Sequence, residues 1–581
     1  MSDDLYDLNG LAASLAETLR ELLAEAGVAA AAVPPVELAL PARPEHGDFT
    51  TNAALVSAKR ARRPPRELAQ ALGERWQAGP GAALCERVEV AGPGFLNLFL
   101  GAAWYRGAVQ HMRAAGSDFG RGVLPYDERL KMNLEFVSVN PTGPLHVGHA
   151  RYASYGDALC RILAFVGDDV TREFYVNDYG TQMLRFGQSL AARYGQRHGL
   201  DIPVPEEGYQ GEYLLDLADD LVAEVGDRYR AAVAAAAPDV TTLAADALAA
   251  IKEWGRDAIL DQFRVTLERL RVPFDVWAYE SALFAGEGEH RGFAGEVGSA
   301  LADLDGEDLL YDHEGAVWLK TTRYGDDKDR VLIRSSGEHT YFLSDIAYHR
   351  DKMDRGFAHM IDVWGADHHG YVPRMKAAFT ALPPHDPERL ELIIGQLVNL
   401  LESGAAKRMS KRKGDIVTVD DLLDAIGVDA ARFLLVGRSH DTTLELDIDL
   451  AREQSNKNPV YYVQYAHARI CSILRNLKGA GEGPAGEALP AVSVDAHERS
   501  LVRALVRYPD VLLAAAGQRA PHRVHTYLGE LAAEFHVFYR HCRVLSDDPD
   551  ITRFRAALCE ATRDTLASGL ALLGVSAPDS M

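Results

Sequence analysis

The chain reads as a multidomain α/β protein, with a parallel-sheet domain between an α+β N-terminal domain and an all-helical C-terminal domain. Three observations predict this. Residues 119–450 alternate short apolar runs of strand length with stretches at helical spacing, the pattern of a parallel sheet covered by helices on both faces. Residues 1–118 mix helical periodicity with a glycine turn and an alternating strand. Residues 451–581 keep helical periodicity throughout. A length of 581 residues suits roughly three or four domains.

In the first unit, Leu8 to Ala26 has the spacing of an amphipathic helix. His46-Gly47-Asp48-Phe49-Thr50-Thr51-Asn52 leads into a second helix, with Thr50, Thr51 or Asn52 as its cap. Lys59 to Arg66 is a basic run, which is either a solvated loop or an RNA contact. Ala91-Gly92-Pro93-Gly94-Phe95 turns into an alternating strand that runs to Leu100.

The middle unit opens with Leu130 to Val139, a short apolar run expected to be a buried strand. Pro141-Thr142-Gly143-Pro144 stops that strand. Ala150 to Val166 then repeats apolar residues at helical spacing, so His146 and His149 fall where a strand gives way to a helix. A helix N-terminus favours phosphate there, and imidazoles can donate to oxygens that gain charge in a transition state. Alone, the His-x-x-His pair also reads as a surface pair or half a zinc site, but no cysteine or third histidine at ligand spacing lies nearby.

Thr171 to Val176 is the next strand, ending at Asn177, which is either a site residue beyond a strand end or a turn residue. Residues 187–330 read as a mostly helical, alanine-rich insertion without a second catalytic constellation. The sheet is expected to resume at Arg330 to Ile333. Tyr341 and Asp345 follow, four apart, so one helical face can offer an aromatic hydroxyl and a carboxylate, a pair that can hold a cationic group. The alternative makes Asp345 an N-cap after a core tyrosine. Ile361 to Trp364 is a further strand, and Gly365-Ala366-Asp367-His368-His369 after it suggests a metal site by composition. Neighbouring side chains diverge, however, which argues against joint ligation. Lys407-Arg408-Met409-Ser410-Lys411-Arg412-Lys413-Gly414 is a basic loop suited to compensate a departing pyrophosphate.

The last unit opens with Asn458-Pro459-Val460-Tyr461-Tyr462-Val463-Gln464-Tyr465, a tyrosine stripe that fits either core packing or stacking on splayed RNA bases. Spacing places Tyr462 and Tyr465 outward on one face and Tyr461 toward the core. Five cysteines without CxxC pairs argue against a zinc knuckle or a disulfide framework and fit a reducing cytosol. The acidic start, Met1-Ser2-Asp3-Asp4, carries no secretory signal, and no apolar run is long enough to cross a bilayer. A net charge of −23 disfavours nucleic acid on average, although local basic surface suffices for a nucleic-acid contact.

His146-Val147-Gly148-His149 resembles the HIGH signature of class I aminoacyl-tRNA synthetases, a motif that small adenylyltransferases also carry. Lys407 to Gly414 resembles their KMSKS signature, with Arg408 for the first lysine, Arg412 for the last serine and Lys411 retained. Glu135 to Pro144 looks more specifically like arginyl-tRNA synthetases. So do the Gly47-Asp48-Phe49 segment, the Gly92-Pro93-Gly94-Phe95 strand, Gly208 to Tyr213 and both ends of the helical domain.

This resemblance implies a Rossmann-type catalytic domain, an N-terminal domain at the tRNA elbow and a helical domain at the anticodon. It implies ATP-dependent ligation of L-arginine to tRNA(Arg) through arginyl-adenylate, with release of AMP and pyrophosphate and with arginine activation dependent on bound tRNA. His146, His149 and Lys411 would be catalytic. ATP would meet His146, Gly148, His149, Gly365, Asp367, His368, Met409, Ser410 and Lys411. Arginine would meet Glu135, Ser138, Asn140, His149, Tyr341, Asp345 and His368. The tRNA would meet Asp48, Phe49, Asn52, Tyr462, Gln464, Tyr465, Arg469 and Met581. ATP would arrive with Mg2+, with no tightly bound metal or prosthetic group, and the protein is expected to be a cytoplasmic monomer that does not bind membranes. The competing readings are another class I synthetase or a stand-alone adenylyltransferase, and a non-catalytic tRNA-binding paralogue.

Overall fold

The computed structural model describes residues 3–406, 417–479 and 488–581. At its centre lies a five-stranded sheet: β1 (Lys131–Glu135), β2 (Asp169–Val176), β3 (Val276–Tyr279), β4 (His359–Gly365) and β5 (Leu390–Gly395). Their order is β3-β2-β1-β4-β5, and every neighbouring pair is parallel. All five carboxyl ends therefore share one edge, and the order reverses between β1 and β4. In an open sheet the ligand crevice lies outside that reversal. This is a Rossmann-type sheet, as expected.

The first crossover helix, α1 (Val147–Val166), covers β1 closely. A Cβ at Gly156 would lie 2.3 Å from the Phe136 ring, so glycine is what lets helix and strand approach. Met132 and Leu134 are buried on one face of β1 and Asn133 and Glu135 on the other, as strands covered on both faces require.

Three expectations change. The first strand ends at Glu135, not Val139, because Val137 (φ 70°) and Ser138 (φ 38°) turn left-handed. Apolar character alone does not report φ, and a β-branched residue at positive φ is a genuine outlier. The stretch read as an insertion contains β3, a short run pairing parallel to β2 from Glu173↔Val276 to Val176↔Tyr279. Arg330–Ile333 does not resume the central sheet. It pairs antiparallel with Ala316–Leu319, which pairs with Leu310–His313, giving a separate three-stranded sheet. A four-residue apolar run says nothing about its partner, and the nearer antiparallel neighbour costs less loop closure.

The N-terminal unit is α+β as expected, with four helices (Leu8–Glu25, Ala53–Ala61, Pro65–Ala78, Ala102–Ala115) around an antiparallel sheet. Phe95–Leu100 is central there, between Phe49–Thr51 and Cys85–Ala91. The described residues beyond 458 form five helices, beginning with Pro459–Gly479 and ending with Pro549–Leu572. The two end units touch directly: Arg503 pairs with Asp48 at 3.2 Å, and Arg113 with Glu560 at 2.8 Å. No helix among the described residues is long and apolar enough to cross a membrane.

Candidate active site

His146 is the N-cap of α1 and His149 lies in its first turn. The backbone N–H of His146 donates to Nδ1 of His149 at 3.1 Å, which leaves the proton of a neutral His149 on Nε2. That nitrogen is then a fixed donor at a helix N-terminus, the geometry an anionic oxygen calls for. The two rings stack 3.5 Å apart, and a Cβ at Gly148 would press to 3.0 Å from the His146 ring. Gly148 thus keeps this corner open.

Farther along the helix, the buried Arg151 donates to the carbonyls of Gln396, Leu397, Ser439 and Thr442, tying α1 to the end of β5. Leu145 to Val147 pairs with Val417 to Val419 through Val147 N–H to Val417 O (3.1 Å) and Val419 N–H to Leu145 O (2.9 Å). Residues 407–416, with Met409, Ser410 and Lys411, lie outside the described residues. The chain that follows them is stitched to the histidine corner.

Around the reversal between β1 and β4, several elements contribute side chains to one space. Ser138 Oγ accepts the Tyr175 N–H at 3.0 Å, which braces the left-handed turn, and Asn140 donates to Gln182. Helix α2 (Tyr341–Asp354) has Thr340 as its N-cap, so Asp345 is a mid-helix residue and not the capping aspartate of the alternative reading. Tyr341 is exposed, with its hydroxyl over Gly180. Asp345 Oδ2 accepts the Tyr371 hydroxyl at 2.6 Å. Burial pushes the Asp345 carboxyl up, and the Tyr371 hydrogen bond opposes this.

Glu280, one residue past β3, was not singled out from the sequence. It is 1% exposed, and its Oε2 finds no hydrogen-bond partner among the described residues. Burial first, then the negative charges of Asp345 and Asp178, raise its carboxyl to about 7, with the Ser344 hydroxyl opposing. A carboxyl group raised by burial and by a neighbouring carboxylate is stabilised when a cation comes beside it. Its only sequence signal is its place at the end of an apolar run, which had been assigned to the insertion.

Glu135, predicted to hold arginine, is taken by another partner. Lys352, fully buried, donates to Glu135 at 2.6 Å and to Asp362 at 2.8 Å. Asp362 also meets His349 Nε2 at 2.7 Å, and His349 Nδ1 donates to the Asp345 carbonyl at 2.7 Å. Burial opposes the charge on Asp362, but Lys352 and His349 overcome it and hold that carboxyl low. Next to it, Arg355 forks onto Glu173 at 2.7 and 2.8 Å. A strut of alternating charge therefore joins β1, β4 and α2, and His349 connects it to the Asp345 backbone. Beyond β4, Gly365 is half-buried, and Asp367 and His368 are exposed and 3.6 Å apart.

Several predicted tRNA contacts are corrected by burial. Phe49 is fully buried in the N-terminal core, where its ring packs on Trp104, so it cannot meet RNA. Asp48 is buried too, accepting the Leu100 N–H at 2.7 Å and pairing with Arg503. Asn52, beside them, is exposed. Gln464 is buried and donates to Asp429 and to the Ser576 carbonyl, both at 2.9 Å. Tyr461 and Tyr465 stack with centroids 6.0 Å apart, while Tyr462 packs on the core beside His536. The i,i+4 pair shares the outer face, and the i,i+3 pair does not. The Arg469 guanidinium lies 4.5 Å from the Tyr465 ring and 4.9 Å from that of Tyr539, and Met581 is exposed.

Comparison with known proteins adds three family matches: the arginyl tRNA synthetase N-terminal domain over residues 11–100, the catalytic domain of class I tRNA synthetases (R) over 121–470, and the DALR anticodon binding domain over 463–581. The chain is 44% identical to the arginine–tRNA ligase of Geobacillus thermodenitrificans, over 98% of both chains. It is also 44% identical to that of Desulforudis audaxviator, over 99% of this chain and all of the other. Among solved structures it is similar to a putative arginyl-tRNA synthetase from Campylobacter jejuni (31% identity, TM-score 0.71, 82% of this chain and 99% of that one). Its fold also matches the Thermus thermophilus arginyl-tRNA synthetase (24% identity, TM-score 0.71, 98% and 100%).

Proposed function

The chain belongs to the arginyl-tRNA synthetases and charges tRNA(Arg) with arginine at the expense of ATP, and from that premise we propose how its residues divide the work. The observation that carries the proposal is the buried Glu280 carboxyl, whose Oε2 has no hydrogen-bond partner among the described residues, close enough to the half-buried Asp345 at the sheet's carboxyl edge to be raised by its charge. An arginine guanidinium fits between them: planar, permanently charged, and able to serve two carboxylates with separate N–H groups. Tyr371 orients Asp345. Tyr341, Asn140 and Ser138 line the same space, and His368 stands at its exposed rim. Glu135 acts through Lys352 as part of the strut and not as a contact.

ATP arrives as its magnesium complex and lies along the histidine corner, beside Gly365 and Asp367. His149 Nε2–H and the His146 ring stabilise the α-phosphate as arginine's carboxylate attacks it. Lys411, with Met409 and Ser410 alongside, holds the β- and γ-phosphates of the leaving pyrophosphate. The tRNA's terminal ribose hydroxyl then takes the arginyl group from the adenylate. Residues 1–118, 119–450 and 451–581 form the tRNA-elbow, catalytic and anticodon units of a cytoplasmic monomer.

Two tests follow from this division. If Glu280 faces the guanidinium, binding arginine drives it to its ionised form. With the empty site titrating at about 7, the group is protonated below that pH and its proton must leave before arginine binds. Arginine KM should therefore rise as pH falls through 7, by up to about tenfold per unit, and Glu280→Gln should flatten the profile. A wild-type KM that is level from pH 6 to 8 would exclude this role.

On the anticodon side, the stacked Tyr461 and Tyr465 with Arg469 present an aromatic and cationic face. Tyr465→Ala should weaken whole tRNA by about 1–3 kcal/mol, the worth of one base stack, and leave an acceptor-arm minihelix unaffected. Equal losses on both substrates would place the effect elsewhere.

A further inference from the structure

On the helix Pro459–Gly479, here α3, His467 and Cys471 stand four residues apart, so their side chains share one face. The C-terminal tail crosses that face and brings Asp579 to them. Cys471 Sγ lies 3.4 Å from Asp579 Oδ1 and 4.0 Å from His467 Nε2, and one ligand atom from each residue falls within 4.8 Å of the others. His467 and Cys471 are buried, and Asp579 is open to solvent.

From this constellation we infer a binding site for a thiophilic divalent cation of the Zn2+ class, built by His467, Cys471 and Asp579, that fastens the C-terminal tail to α3. A tetrahedral ion at ordinary zinc–sulfur, zinc–nitrogen and zinc–oxygen distances needs donor atoms roughly 3.5 Å apart, so no pair, all being within 4.8 Å, has to close by more than about 1.3 Å. The second shell is in place as well. His467 Nδ1 donates to the Pro578 carbonyl at 2.9 Å, which leaves the Nε2 lone pair to face the ion, the arrangement usual for a metal-bound histidine. Arg475 donates to the Asp579 carbonyl at 3.2 Å and holds the tail residue that carries the third ligand.

The charges also match. A thiolate and a carboxylate neutralise a divalent cation, and solvent completes the fourth position on the open side. Without an ion, the Cys471 thiol donates to Asp579. On binding, the ion replaces that proton, which leaves to solvent. A bare thiol–carboxylate hydrogen bond is the competing account of the same geometry. The site was invisible in the sequence because its third ligand lies 108 residues beyond the cysteine.

Cobalt(II) separates the two accounts, since a thiolate ligand gives it a charge-transfer absorption that carboxylates and imidazoles do not. The full chain, stripped with a chelator and titrated with Co2+, should develop that absorption to a limit of one equivalent. Cys471→Ser should abolish it. Asp579→Asn, an exposed tail substitution that leaves the helical core intact, should weaken binding at least about tenfold. Three results would each overturn the site: no charge-transfer band in the wild type, a band that survives Cys471→Ser, or unchanged affinity in Asp579→Asn.

Discussion

Replacing Lys352 with methionine is expected to destabilise the catalytic domain by about 3–5 kcal/mol, the cost of leaving buried charges without their partner. Lys352 is fully buried, and its ammonium is the bond between Glu135 at the end of β1 and Asp362 on β4. Methionine keeps the stem's length and removes the charge. Glu135 and Asp362 would then face each other with only His349 to offset them, and repulsion would open the sheet where its order reverses. For a unit of this size, such a loss should lower the domain's melting transition by roughly 10 °C. Adding Glu135→Gln to the variant should recover part of it, because one of the orphaned charges is then gone. An unchanged transition in Lys352→Met would mean that the strut does not hold β1 to β4.

His149→Ala is expected to slow arginyl-adenylate formation by about 10²–10³-fold in kcat, or roughly 3–4 kcal/mol of transition-state stabilisation. The structural ground is the bond from the His146 N–H to His149 Nδ1, which fixes the remaining proton on Nε2 at the head of α1. Alanine removes the donor and also leaves the His146 N–H uncapped, a loss worth about 1 kcal/mol of stability. The two effects separate by measurement: the first appears in single-turnover adenylate formation, the second in the melting transition. Loss confined to KM for ATP would assign His149 to ground-state binding instead.

The parallel sheet and the helical end were legible in the sequence because they rest on periodicity, which is local. The histidine corner was legible as well: His146 and His149 bracket a glycine at the head of an apolar helix, and α1 starts there. What stayed hidden depends on pairing between distant segments. Arg330–Ile333 looked like a strand and is one, but its partner could not be read from four residues. Glu280 sits alone at the end of a short run, and only the pairing of β3 with β2 carries it to the sheet edge.

Glu135 carried the right chemistry for arginine, yet Lys352, far away in the chain, occupies it first. Phe49 and Gln464 failed for a related reason. Motif position reports which residues matter, and burial decides whether they face a ligand or the core. Tyr462 turned toward the core and Tyr461 did not, because Tyr462 packs on His536 of the neighbouring helix His522–His541, which spacing alone does not locate.

The central claim is that arginine is selected between Asp345 and Glu280 at the carboxyl edge of the sheet. The most direct measurement is pyrophosphate exchange by the purified enzyme with saturating ATP and tRNA(Arg), offering each amino acid in turn to wild type and to Asp345→Asn. The expected result is exchange with arginine alone, with arginine KM raised in Asp345→Asn by about 2–5 kcal/mol equivalent and ATP KM unchanged. Exchange supported by another amino acid, or an unaltered arginine KM in Asp345→Asn, would contradict it.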